Sequence, residues 1–130
     1  AGGIAHMEEF RSALKKFRSS GKAIVSYTEN PGNGGYYLAS VSDKIYMTPH
    51  DGSLNMFSGL SSQLIFLKDA LDWLGVNMQL IRHGKYKSAG EMYIRKSASK
   101  ENMEQNEAMI SSVWNSWAEE IAEARNITTE

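Results

Sequence analysis

Between Met7 and Tyr27 the hydrophobic pattern changes period, and it changes at a glycine. Met7, Phe10, Leu14 and Phe17 recur three and four residues apart, with Arg11, Lys15, Lys16 and Arg18 between them, which predicts an amphipathic helix. Ser19, Ser20 and Gly21 supply a stop, since glycine readily takes the left-handed conformation that closes a helix. Lys22 to Tyr27 then reads as a buried strand. Helix, glycine, strand is a piece of an α/β unit. A right-handed crossover needs a strand before such a helix, and only six residues precede Met7, so the expectation is a fragment lacking upstream strands.

The remaining segments fit that class. Thr28 to Gly35 holds three Gly, one Pro and two Asn, a loop able to turn tightly and approach another backbone closely. Taken by itself, Asn33 is a turn residue tolerating positive φ. A short helix is expected over Tyr36–Ser42, and a strand over Lys44–Thr48 ended by Pro49 and Asp51-Gly52. Ser61 and Ser62 are candidate caps for a helix whose stripe is Leu64, Leu67, Leu71 and Leu74, broadened by Phe66 and Trp73 and closed by Gly75. Val76, Met78 and Leu80 alternate as a strand running into His83-Gly84. A last helix is expected from about Ser99 to Arg125, with Met103, Ile110, Val113, Trp114, Trp117, Ile121 and Ala124 as its stripe. No repeat or linker is visible, so residues 1–130 read as a single domain fragment.

Composition excludes more than it assigns. Fourteen Lys and Arg against fifteen Asp and Glu give a net charge of -1, so there is no positive field to gather nucleic acid. With no cysteine, disulfides, thiolate metal sites and a cysteine nucleophile are all ruled out. His6, His50 and His83 lack any short metal-ligand spacing, and neither a metal nor another cofactor is expected. The longest apolar stretches, Ala23–Val25 and Leu64–Leu67, fall far short of the roughly 20 residues a membrane span needs. The start, Ala1-Gly2-Gly3-Ile4, has neither an initiator Met nor the layout of a signal peptide, and reads as cut from something longer.

Chemistry concentrates in Gly84-Lys85-Tyr86-Lys87-Ser88-Ala89-Gly90-Glu91, just beyond the carboxyl end of the expected strand, where open α/β sheets place their sites. This stretch resembles the lysine motif of the signal peptide peptidase A (protease IV) family. Two further stretches are similar to that family in the same order: Ser20-Gly21-Lys22 entering a strand, and Gly34-Gly35-Tyr36-Tyr37-Leu38-Ala39-Ser40 followed by Asp43-Lys44-Ile45-Tyr46. Met92 departs from the pattern, family members often having Pro after the Glu.

The resemblance implies a Clp-protease/crotonase-like α/β fold of repeated strand–strand–helix units, and a serine–lysine endopeptidase that hydrolyses cleaved signal peptides. Lys87 is then the general base, with Ser88, Tyr86 and Gly84 in support. In long members one half gives the lysine and the other the serine, which lies directly before Gly-Gly-Tyr-Tyr. Here that position is Asn33, whose carboxamide cannot attack a carbonyl. The implied partners are peptide substrates, the C-terminal half of the same protein and further copies in a homo-oligomer. The implied location is the periplasmic face of the bacterial inner membrane, reached through a segment not in this chain.

A lysine can serve only as the free amine. With an ordinary pKa of about 10.4, about one in 2,500 is unprotonated at pH 7. Lowering the pKa to roughly 7–8 requires the ammonium to be disfavoured by about 3–5 kcal/mol, which burial against apolar walls without a carboxylate partner can provide. Ser88 is placed by adjacency to accept a hydrogen bond from the amine. Lys85 reads as a solvated charge, and Glu91 is either a structural salt-bridge partner or a support of the lysine loop. Trp114 and Trp117, at i and i+3, read as core or interface. Two rival functions share the fold: a non-catalytic oligomerisation module with Lys87 merely inherited, and acyl-CoA chemistry, for which the Gly-rich loop offers only Glu29.

Overall fold

A computed structural model describes residues 3–49, 58–81 and 88–129 of the chain. The elements are helix α1 (Ile4–Ser19), strand β1 (Val25–Thr28), helix α2 (Asn33–Ala39), strand β2 (Lys44–Met47), helix α3 (Lys68–Trp73), helix α4 (Glu91–Ile94) and helix α5 (Lys100–Arg125). They gather into two compact units, one of residues 1–59 and 115–130, the other of residues 60–114. The last helix thus contributes its start to the second unit and its end to the first.

In the first unit β1 and β2 form a two-stranded parallel sheet in the register Val25 to Lys44 through Thr28 to Met47, with α2 as the connection between them. Asp43 fixes the entry to both strands. Its amide donates to Ile24 O at 2.9 Å, its Oδ2 accepts the Ile24 N–H at 2.8 Å, and its Oδ1 takes Arg18 Nε at 3.0 Å from the end of α1. The Ile24 N–H, helped by the Arg18 cation, holds the Asp43 carboxyl below its ordinary pKa. One face of the sheet, carrying Val25, Tyr27 and Tyr46, is exposed.

The core of this unit is Tyr37, Ala39 and Val41, closed by Trp117 and Ala122 from α5. Tyr37 stacks on Trp117 with ring centroids 4.6 Å apart and planes inclined by 12°. The buried side of α1 is centred on Arg11, 1% exposed, while the stripe residues Phe10 and Phe17 are about half exposed. Acceptors explain the inversion. Arg11 donates to Tyr37 O, to Ser40 Oγ at 2.7 Å and to Glu120 O at 2.7 Å, and its guanidinium carbon lies 4.4 Å from the Tyr37 ring centroid. Nε is 2.7 Å from Glu120 Oε2 but not aligned for a hydrogen bond, so that contact is ionic.

The helix over Tyr36–Ser42 starts earlier than expected. Gly32 adopts the extended N-cap conformation and its carbonyl accepts the Tyr36 N–H at 3.0 Å, which brings Asn33 into the first turn. Asn33 therefore has no positive φ; among the described residues Asn126 is the non-glycine residue that does, at 54°. Asn126 closes α5, with Ile127 N–H bonded to Ala122 O at 3.1 Å.

In the second unit the expected helix from Ser61 shortens to Lys68–Trp73. The Leu67 N–H, which a longer helix would direct to residue 63, donates to Met92 O at 2.6 Å instead, and Ser62 Oγ donates to Asn106 rather than capping. The end is as expected: Gly75, at φ 70°, donates to Asp72 O, and Val76 donates to Leu71 O. Val76–Ile81 is not a strand. A strand exists through its ladder, and among the described residues the sheet holds β1 and β2 alone.

Candidate functional site

Of the residues expected to carry chemistry, Ser88 and Asn33 are described; Lys87, Tyr86 and Gly84, with Lys85 and His83, lie outside the described residues. What is described are the shoulders of the lysine segment, and they touch. A Cβ on Gly90 would overlap the Leu80 isobutyl group, so the absence of a side chain at 90 lets the two ends of residues 80–90 close on each other.

After the segment the backbone turns at once. The Glu91 N–H donates to Ser88 O at 2.9 Å, Tyr93 N–H to Gly90 O at 3.2 Å and Arg95 N–H to Glu91 O at 2.9 Å. Glu91 is 1% exposed. Its Oε1 accepts the Ser99 hydroxyl at 2.6 Å, and its Oε2 accepts the Ser99 N–H at 3.0 Å and Asn102 Nδ2 at 3.2 Å. Ser99 in turn caps α5, its Oγ accepting the Asn102 N–H at 3.1 Å. A carboxylate thus sits at the positive end of a 26-residue helix, held by charge-assisted hydrogen bonds. This geometry anchors the segment's downstream shoulder to the start of α5. Ser99 and Asn102 are the partners that sequence reading missed; the signal was a Ser three residues ahead of an Asn at the start of an apolar helical stripe.

Beside Ser88 and Ala89 opens a cavity of ≈ 470 Å³, walled by Leu64, Ile65, Phe66, Met92 and Met109, with the amides of Asn102, Gln105 and Asn106 at its polar side. Apolar walls with a few convergent amides suit an apolar side chain carried on a peptide backbone. Ser88 Oγ makes a long contact of 3.4 Å to Gln105 Oε1.

Asn33, in the first unit, opens α2, and its Nδ2 donates to Gly59 O at 2.5 Å. Its side chain is engaged in holding a loop, and a carboxamide is no nucleophile. Trp117 is core, whereas Trp114 is 46% exposed. Glu29 takes a 3.4 Å contact from the Tyr27 hydroxyl. Among the described residues no three His, Asp or Glu side chains are grouped to hold a metal ion, and no helix is long and apolar enough to cross a membrane.

Residues 16–130 match the sequence pattern of Peptidase family S49. The chain belongs to that family. The chain is 36% identical over 115 residues to "Protease 4" of Haemophilus influenzae, covering 88% of this chain and 18% of that protein. It is 33% identical over 122 residues to "Serine protease SPPA, chloroplastic" of Arabidopsis thaliana, 94% of this chain and 18% of the relative, and 33% identical over 124 residues to "Protease 4" of Salmonella typhi, 95% and 20%. The chain therefore spans about a fifth of the length of the curated relatives it matches. Membership places it with signal peptide peptidase A and implies a Clp-protease-like fold, of which the described residues form a mixed α/β part with a small parallel sheet.

Proposed function

We propose that this S49 segment supplies the general base, Lys87, of a serine–lysine endopeptidase that hydrolyses cleaved signal peptides, the serine coming from another segment of the complete protein. The observation that carries the reading is the lysine motif Gly84–Glu91 within the family match, directly followed by a turn pinned through Glu91 and bordered by an apolar cavity. Lys87 takes the serine proton as the hydroxyl attacks the scissile carbonyl, then returns it to the leaving amine; water repeats the sequence on the ester. Asn33 stands where the other half carries its nucleophile, so this segment gives a base and no attacking group.

Two features support a larger assembly. The chain covers about a fifth of its relatives, and the sheet face of Val25, Tyr27 and Tyr46 is left uncovered among the described residues. The C-terminal half of the same protein, or a further copy in a ring of repeated strand–strand–helix units, is the partner this reading assigns to it. An inner-membrane, periplasmic setting follows from the resemblance to bacterial signal peptide peptidases.

The test is activity of the complete gene product on an apolar peptidyl ester. Lys87→Ala is expected to abolish turnover and Lys87→Arg not to restore it, because a guanidinium does not release its proton at working pH. Undiminished turnover by Lys87→Ala would leave the non-catalytic assembly module as the reading of this segment. The isolated 130-residue chain is expected to be inactive.

A further inference from the structure

We propose that Glu91 is a positioning residue for the lysine base, acting through the N-terminus of α5. The proposal rests on the reading of Lys87 as base, and goes beyond it by naming what holds the turn that follows it in the chain.

Three observations carry it. Glu91 is buried, and its carboxylate binds three donors, the Ser99 N–H, the Ser99 hydroxyl and Asn102 Nδ2, at 3.0, 2.6 and 3.2 Å. Its own N–H closes the turn onto Ser88 O, the residue bonded to Lys87. Upstream, Leu80 fills the space a side chain at Gly90 would need, so it packs against the chain one residue before Glu91. The first turn of α5, capped by Ser99, is a hydrogen-bonded mount for that carboxylate. A carboxylate clamped there steadies the turn and, through one peptide bond from Ser88, Lys87. Such support matters because a catalytic group displaced by about 1 Å can lose about 100-fold in rate.

A glutamine at 91 can turn its carbonyl to the Ser99 N–H and Asn102 Nδ2, which keeps two of the three contacts, while the Ser99 hydroxyl oxygen turns from donor to acceptor of the side-chain amide.

The experiment measures kcat and KM separately for the complete protein on a peptidyl ester, with the melting temperature of each variant. Glu91→Ala is expected to lower kcat about 10- to 100-fold with KM changed less than about threefold. Glu91→Gln should restore kcat to within about threefold of the parent. Ser99→Ala, which removes the partner side, should lower kcat in the same way and add little to Glu91→Ala in the double variant. Where Glu91→Ala fails to fold, Glu91→Gln and Ser99→Ala carry the test at a temperature well below their melting points. Folded Ser99→Ala or Glu91→Ala with parental kcat overturns the proposal, as does Glu91→Gln as slow as Glu91→Ala. Lys87→Ala, run alongside, keeps the two claims apart: if it retains activity, the base reading has failed, whatever Glu91 does.

Discussion

The guanidinium of Arg11 sits over Tyr37, 4.4 Å from its ring centroid, while also bonding the Tyr37 carbonyl, so one cation grips both the side chain and the backbone of the same core residue. Glu120 completes the group, taking the Tyr37 hydroxyl hydrogen at 2.8 Å on the oxygen that faces Arg11. Removing the cation leaves the buried Tyr37 carbonyl and Ser40 hydroxyl without their charged donor. Arg11→Ala is expected to destabilise the complete protein by about 2–3 kcal/mol in urea unfolding, because it removes a buried charged donor and leaves its acceptors unpaired. Arg11→Lys should recover less than half of that, because an ammonium cannot both stack and fork. A loss under about 1 kcal/mol for Arg11→Ala would contradict this.

Stability should fall at both ends of the pH scale for separate reasons. Burial, with the Glu120 carboxylate next in weight, raises the Tyr37 phenol above its ordinary 10.0. The neutral phenol is therefore favoured in the folded state, and the stability it brings is present below about pH 10 and lost as pH rises through the folded pKa. Asp43 has the opposite sign: its carboxyl is depressed, so its contribution is present above the unfolded carboxyl pKa and lost as pH falls through the folded one. Melting temperature against pH should lose part of its acid limb in Asp43→Asn and part of its alkaline limb in Tyr37→Phe. Unchanged limbs would count against these assignments.

Trp117 is buried and its Nε1–H finds no acceptor among the described residues. An orphaned donor costs about 1–3 kcal/mol, while the ring's stack on Tyr37 is favourable. Trp117→Phe keeps the stack and deletes the donor, so it should be near neutral, within about 1 kcal/mol of the parent. Trp117→Ala should cost about 3–5 kcal/mol. Equal losses for the two would mean that the donor has a partner that matters.

Gly90 has an ordinary backbone, at φ -84°, so conformational entropy alone would make Gly90→Ala stabilising by about 0.4–1 kcal/mol. The Leu80 side chain decides the sign, because a Cβ at 90 would overlap it and overpacking costs about 1–3 kcal/mol. Net destabilisation is expected, relieved in part by Leu80→Ala in the same chain. A stabilised single variant would contradict the close approach of the two shoulders.

What the sequence revealed were the features settled locally. Gly21 and Gly75 end their helices because only a few neighbouring backbone groups take part in such a closure. The strand at Lys44–Met47 and the long terminal helix follow from their own periods. Features settled by distant groups stayed hidden. The helix from Ser61 gives way because Leu67 finds the Met92 carbonyl, 25 positions on in the chain. Arg11 is buried because its acceptors arrive from residues 37, 40 and 120. For the site, the lysine motif was legible as a motif, whereas the carboxylate clamp beside it depends on a helix start eight residues downstream of Glu91.

The state of one amine decides the account. Selective isotope labelling of lysine in the complete protein, with Lys87→Arg to assign the signal, allows the Lys87 ε-ammonium to be titrated directly. A pKa of about 7–8 is the predicted result, matching a dry amine ready to accept a proton. A value near 10.4, the range of a solvated lysine, would contradict it.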